Sequence, residues 1–207
     1  MATDDSEPLI QSPEVKLEHV RFWDPGNDCL GRGKKAASAR GYNAERLAHA
    51  SLHSYKPITL ISDDSCYDTV AFTTDDSLVR VEIKSCINKY PSGQYGRFRI
   101  WKRNHDGLID KINDIHVDES VDELSAIYYF VVYRIKVEHE LEVGKMAVPL
   151  EVVDSLIDSW SVIDHSTMGK CEYKDISWNH LLTQLNISRE EFKSADAIDL
   201  TSGKHIL

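Results

Sequence analysis

Residues 125–137, SAIYYFVVYRIKV, constrain the fold more than any other stretch of the chain. β-branched and aromatic side chains follow one another there with almost no polar interruption. A run of that kind reads as a strand covered on both faces, and therefore as the centre of a sheet. Beyond it, VGKMAVPL reads as another strand. PLEVVDSLIDSW places Val152, Val153, Leu156 and Ile157 at helical spacing and reads as an amphipathic helix. Residues 176–193 read as one or two further helices. Strands interleaved with helices give an α/β class: a mixed central β-sheet flanked by helices, with a C-terminal helical extension.

A length of 207 residues suits one buried core with appendages. Residues 1–30 form an N-terminal extension whose first part is polar, carries Pro8 and Pro13 and shows no period. Residues 31–150 form the core, and 151–207 the helical extension packed on it. With 42% apolar and 28% charged residues, neither a disordered nor a fibrous protein is favoured. No apolar run approaches the roughly 18 to 20 residues that cross a bilayer, and the acidic N-terminus is unlike a secretory leader. A cytoplasmic protein with no membrane partner is expected. Cys29, Cys66, Cys86 and Cys171 form no CxxC pair and no metal-ligand spacing with histidine, so reduced thiols are expected, with Cys66 and Cys86 buried.

The chemistry is concentrated upstream of the central strand. The basic stretch GRGKKAASAR leads into NAERLAHASLHSY, where Ala44, Leu47, Ala48 and Leu52 recur at helical spacing. A helix over about 36–54 follows, with Gly41 a point at which it can break. Pro57 ends it, and ITLIS reads as a short strand. YDTVAFT (67–73) and SLVRVEIKSC (77–86) are β-prone runs separated by Asp75 and Asp76, a hairpin signal. Alternation along the second run sends Val79, Val81 and Ile83 to one face and Arg80, Glu82 and Lys84 to the other. Asp68 and Glu82 can thus offer a carboxylate pair from adjacent strands, with the Lys84 ammonium on the face of Glu82. Magnesium seeks such oxygen ligands, and a cation there suits hydrolysis of a phosphodiester.

Glu45 in a helix, Asp68 opening a strand, then Glu82-Ile83-Lys84 ending the next: this order resembles the PD-(D/E)XK nuclease superfamily. GYNAERLAHASL, YDTVAF and VRVEIKS look most like the archaeal Holliday junction resolvases, with type II restriction endonucleases close behind. The resemblance covers roughly residues 36–137, with Tyr67 standing where the name-giving proline would be. It implies a restriction-endonuclease-like core and Mg2+ as cofactor, with Mn2+ able to substitute. It also implies metal binding by Asp68, Glu82 and the Ile83 carbonyl, a Lys84 that positions the attacking water, and an outer or second-site carboxylate from Glu45. The activity it implies is endonucleolytic cleavage of DNA; an RNA-processing nuclease and a non-catalytic binding module on the same fold are the alternatives.

A net charge of −10 opposes approach to a polyanion. Its distribution favours one: residues 21–111 hold 15 basic against 11 acidic residues, a balance of +4, and the remainder 9 against 23, a balance of −14. Lys89, Arg97, Arg99, Lys102 and Arg103 interleave with Tyr90, Tyr95, Phe98 and Trp101, a composition fit for phosphate contact and base stacking. Gly93 and Gly96 leave that loop flexible until nucleic acid orders it, unless Phe98, Ile100 and Trp101 pack as an ordinary strand. Arg32, Lys34, Lys35 and Arg40 form a second basic candidate for DNA contact. His105 follows the basic loop and could assist at the phosphate, but a lone histidine at a helix start reads first as a cap or surface residue; Trp160 and Trp178 read as packing for the C-terminal helices or a dimer interface. Cutting both strands of a duplex or junction takes two active sites, so a twofold homodimer is expected.

Overall fold

A computed structural model describes residues 34–52, 66–72, 78–90, 92–113, 125–135, 141–194 and 198–199. Helix α1 (Lys34–Ser51) is followed by strands β1 (Thr69–Phe72), β2 (Leu78–Ile87) and β3 (Arg97–Trp101), then helix α2 (Lys102–Asn113). Strands β4 (Ser125–Ile135) and β5 (Leu141–Pro149) precede the short helix α3 (Leu150–Ser155). Strands β6 (Ser161–His165) and β7 (Gly169–Ser177), helices α4 (Trp178–Gln184) and α5 (Arg189–Ser194), and strand β8 (Ile198–Asp199) complete the order.

Five strands form the main sheet in the order β1-β2-β4-β5-β8. The apolar run that begins at Ser125 forms β4, and it lies in the middle. It pairs parallel with β2, Glu82 opposite Tyr128 and Lys84 opposite Phe130, and antiparallel with β5. β1 pairs antiparallel with β2, and β8 adds a short parallel edge to β5. A parallel pair needs a crossover, and the β2–β4 crossover contains β3 and α2.

Apolar side chains cover both faces of this sheet. On one, Ala44, Leu47, Ala48 and Leu52 of α1 meet Val79, Val81 and Ile83 of β2 and Ile127, Tyr129, Val131 and Tyr133 of β4, all buried. On the other, Tyr128 and Phe130 of β4 pack with Phe98, Ile100, Leu108, Ile176, Trp178 and Phe192. That second layer rests on a three-stranded antiparallel sheet, β3-β7-β6.

Several details differ from the sequence reading. Gly41 does not break α1, which is continuous; a Cβ added there would meet nothing within 4 Å. The segment after Gly93 is not a loose loop: Arg97–Trp101 is a strand with Phe98 and Ile100 fully buried. The turn before it is also tied down, with Gly93 at φ 81°, Gly93 N–H donating to the Tyr90 carbonyl at 2.8 Å and Trp178 Nε1 donating to the Asn88 carbonyl at 2.7 Å. Tertiary partners far along the chain supply this order, which local glycine content could not reveal. The C-terminal part carries the expected α4 and α5 and, in addition, the β6–β7 hairpin. The ITLIS segment and the turn at Asp75 and Asp76 lie outside the described residues.

Candidate active site

β2 sets the site because alternation puts its apolar and ionisable side chains on opposite faces. Val79, Val81 and Ile83 enter the core under α1, and Glu82 turns the other way and is 1% exposed. Asp68 lies just before β1; its N–H donates to the Val81 carbonyl at 2.9 Å, and its Oδ2 accepts from the Ile83 N–H at 2.6 Å. This side-chain bond takes the place of a ladder bond where β1 has not yet begun. In a strand the N–H and C=O of one residue leave on the same edge, so the Ile83 carbonyl is presented to the Asp68 side as well.

The Lys84 ammonium, 17% exposed, forms an ion pair with Glu82 Oε1. The same oxygen accepts from Asn104 Nδ2 at 3.1 Å. Glu82 Oε2 is buried and has no hydrogen-bond partner. Burial raises the Glu82 carboxyl to about 7, and Asp68 pushes the same way against Lys84 and Asn104. Burial works to lower the Lys84 ammonium, but Glu82, Asp68 and Glu45 outweigh it and hold the side chain protonated. Glu45, exposed on α1, is raised by partial desolvation and by Asp68, with Lys84 opposing. The structure therefore brings Glu45, Asp68, Glu82 and Lys84 into one electrostatic group from α1, the β1 end and β2. Among the described residues no three His, Cys, Asp or Glu side chains cluster as a ready-made metal site.

The basic candidates are scattered by comparison. Arg97 and Lys89 are exposed, the Lys89 ammonium lying 5.0 Å from the Tyr95 ring centroid. Arg99 is held by Asp175 through two 2.8 Å bonds and lies over Tyr173, while Lys102 pairs with Asp106 one turn along α2. Arg103 is exposed on α2. Arg40 is buried within α1, Lys34 and Lys35 open that helix, and Arg32 lies outside the described residues.

His105 is neither a cap nor a surface residue. It is 1% exposed, its Nδ1 2.9 Å from the Tyr128 hydroxyl and its Nε2 3.0 Å from Asp154 Oδ1. The helix places it inward, where β4 and α3 supply the partners. Asn104 was missed because one amide in a polar helix start carries no signal. Cys66 and Cys86 are buried free thiols, both pushed up by burial.

A family model described as a PD-(D/E)XK nuclease superfamily domain matches residues 32–183, well over half of the chain. The chain belongs to the PD-(D/E)XK nuclease superfamily. Its members are usually phosphodiester hydrolases, and the mixed sheet flanked by helices fits that fold. The PD-(D/E)XK match extends beyond the central strand through β6 and β7 into α4, so the hairpin absent from the sequence reading lies within it. Comparisons with curated proteins and with solved structures give no match. No helix among the described residues is long and apolar enough to cross a membrane.

Proposed function

We propose that this superfamily member is a divalent-metal-dependent endonuclease acting on DNA. Glu82 carries the reading. Its Oε1 is fixed by Lys84 and Asn104, and its Oε2 is buried and unpartnered. Leaving such an oxygen unsatisfied costs on the order of 1–3 kcal/mol, a cost that a bound cation would offset. The donor set fits one. Two carboxylates, Asp68 and Glu82, and the Ile83 carbonyl are hard oxygen ligands suited to Mg2+, with Mn2+ able to substitute. The carboxylates of Glu45, Asp68 and Glu82 outnumber the single Lys84 ammonium in this electrostatic group, and the mutual repulsion that helps raise Glu82 and Glu45 is what a cation would relieve.

Such a metal supplies an acidified water and a counter-charge to the phosphate. The side chains do the rest. Lys84, kept charged by its carboxylate neighbours, is placed to meet a phosphate oxygen or the attacking water. Asp68 is oriented by the Ile83 amide, and Glu45 acts from an outer position. The core of residues 31–150 supplies these groups, and from the C-terminal extension of 151–207 Asp154 holds His105 at the start of α2. Lys89, Arg97, Arg99, Lys102 and Arg103, with Tyr95 and Trp101 among them, support contact with the nucleic-acid backbone.

The test is incubation of the purified chain with Mg2+, Mn2+ or Ca2+ against a four-way junction, plain duplex, single-stranded DNA and RNA side by side. Cleavage of DNA is expected with Mg2+ or Mn2+, and binding without cutting with Ca2+, whose looser geometry places water less well. Binding to every substrate with cleavage of none would move the chain to a non-catalytic module. Cleavage of RNA alone would replace DNA as the substrate, and cleavage that survives exhaustive chelation would remove the metal.

A further inference from the structure

A carboxylate has two equivalent oxygens, and a metal site is reliable only if something decides which of them is left open. Lys84 cannot decide this alone, because an ammonium on a flexible stem donates in several directions. A primary amide is planar and donates along fixed lines. Asn104 presents one such N–H to Glu82 Oε1 at 3.1 Å.

The next residue fixes where that amide sits. His105 bonds Tyr128 through Nδ1 and Asp154 through Nε2. A carboxylate only accepts, so Nε2 carries the hydrogen and donates to Asp154, and in a neutral ring Nδ1 then accepts from the Tyr128 hydroxyl. Tyr128 is the β4 residue directly opposite Glu82 in the β2–β4 register, and its ring stacks on His105 at 5.9 Å. Asp154, 58% exposed, belongs to α3. The start of α2 is thereby tied both to the strand beside Glu82 and to a helix beyond the central sheet. Gly107 lets α2 come this close, since a Cβ there would lie 2.7 Å from that of Cys66.

We propose that Asn104, held in register by the Tyr128–His105–Asp154 network, is a positioning residue that turns Glu82 so that Oε2 is the oxygen left for the metal. This rests on the metal-dependent reading above. Outer partners of metal ligands are typically worth 10- to 100-fold in metal affinity or activity.

The test measures Mn2+ binding to the full chain by calorimetry, beside the melting temperature of the metal-free protein. Asn104→Leu keeps the bulk and removes the donor; Tyr128→Phe keeps the ring and frees one end of His105. Asn104→Leu should weaken Mn2+ binding by about tenfold or more with the metal-free melting temperature nearly unchanged. Tyr128→Phe should weaken it less, in the same direction, and add nothing on top of Asn104→Leu. Wild-type affinity in Asn104→Leu would overturn the proposal while leaving the metal reading intact. A loss of affinity matched by a fall in metal-free melting temperature would overturn it too, because the residue would then be merely structural. Fully additive effects would break the link between Asn104 and His105, and a wild-type chain that binds no Mn2+ would remove both this inference and the metal reading.

Discussion

At the level of single residues, the three central side chains contribute charge to the site and polar bonds to its walls, but no apolar packing. Asp68→Ala, Glu82→Ala and Lys84→Ala should each abolish cleavage while circular dichroism stays native, because none removes apolar packing, although the lost Asp68–Ile83 bond or the broken Glu82–Lys84 pair should lower the melting temperature. Near-wild-type cleavage by any of them would remove that residue from the assignment. Glu45→Ala should cost less, since Glu45 is exposed and reaches the group only through its field. The pH dependence follows from Glu82, whose carboxyl is raised to about 7. A proton on Glu82 competes with a cation, so Mn2+ affinity should rise with pH towards about 7 and level off above it, the bound metal itself drawing the midpoint lower. A titration of affinity from pH 5.5 to 8.5 checks this; a flat profile would mean that Glu82 is not a ligand. That Asp68, Glu82 and Lys84 lie together was legible in the sequence, because strand alternation and two β-prone runs are local properties. The contacts of Asn104 and His105 were not, because they exist only once α2 lies against β2, β4 and α3.

Among the elements, β3 bears the sharpest consequences. Gly96 packs so that a Cβ would strike the Ile87 carbonyl oxygen and come within 3.2 Å of Cys86 Sγ. The backbone cannot yield easily, because Gly96 also bonds Asn88 through its N–H and Trp178 through its carbonyl. Gly96→Ala should therefore destabilise by about 3 kcal/mol or more, at the upper end for single substitutions, read as a lower denaturation midpoint. The arginines of β3 should part company. Arg97→Ala removes an exposed charge and should lower the slope of log affinity against log salt by about 0.9 if it touches one phosphate, with stability unchanged. Arg99→Ala also breaks the paired bonds to Asp175 and should lower the melting temperature. An unchanged salt slope in Arg97→Ala would take that side chain off the nucleic-acid path. The sequence offered both a flexible basic loop and a packed strand here. Phe98 and Ile100 decide for the strand by meeting Ile176 and Phe130, contacts made across long stretches of chain.

For the molecule as a whole, the main sheet was readable because β4 is so uniformly apolar that only a central position can satisfy it. The β6–β7 hairpin was not: much of it is exposed, and its charged strands carry no clear alternation. A homodimer remains the expected assembly for a cutter of paired strands, and light scattering on the purified protein should give a mass near twice 23.5 kDa. A monomeric mass would favour nicking of one strand at a time. The parallel pairing of β2 with β4 also sets the order in which the site is assembled. Val79 lies opposite Ser125, so the two strands must find each other across a long intervening segment, a slow kind of closure. During synthesis Asp68, Glu82 and Lys84 emerge well ahead of the strand that must lie beside them, and Asp154 emerges later still. A nascent chain thus holds Asp68, Glu82 and Lys84 before the strand and helix that orient their surroundings exist, and the proposed site is complete only once translation has passed residue 154.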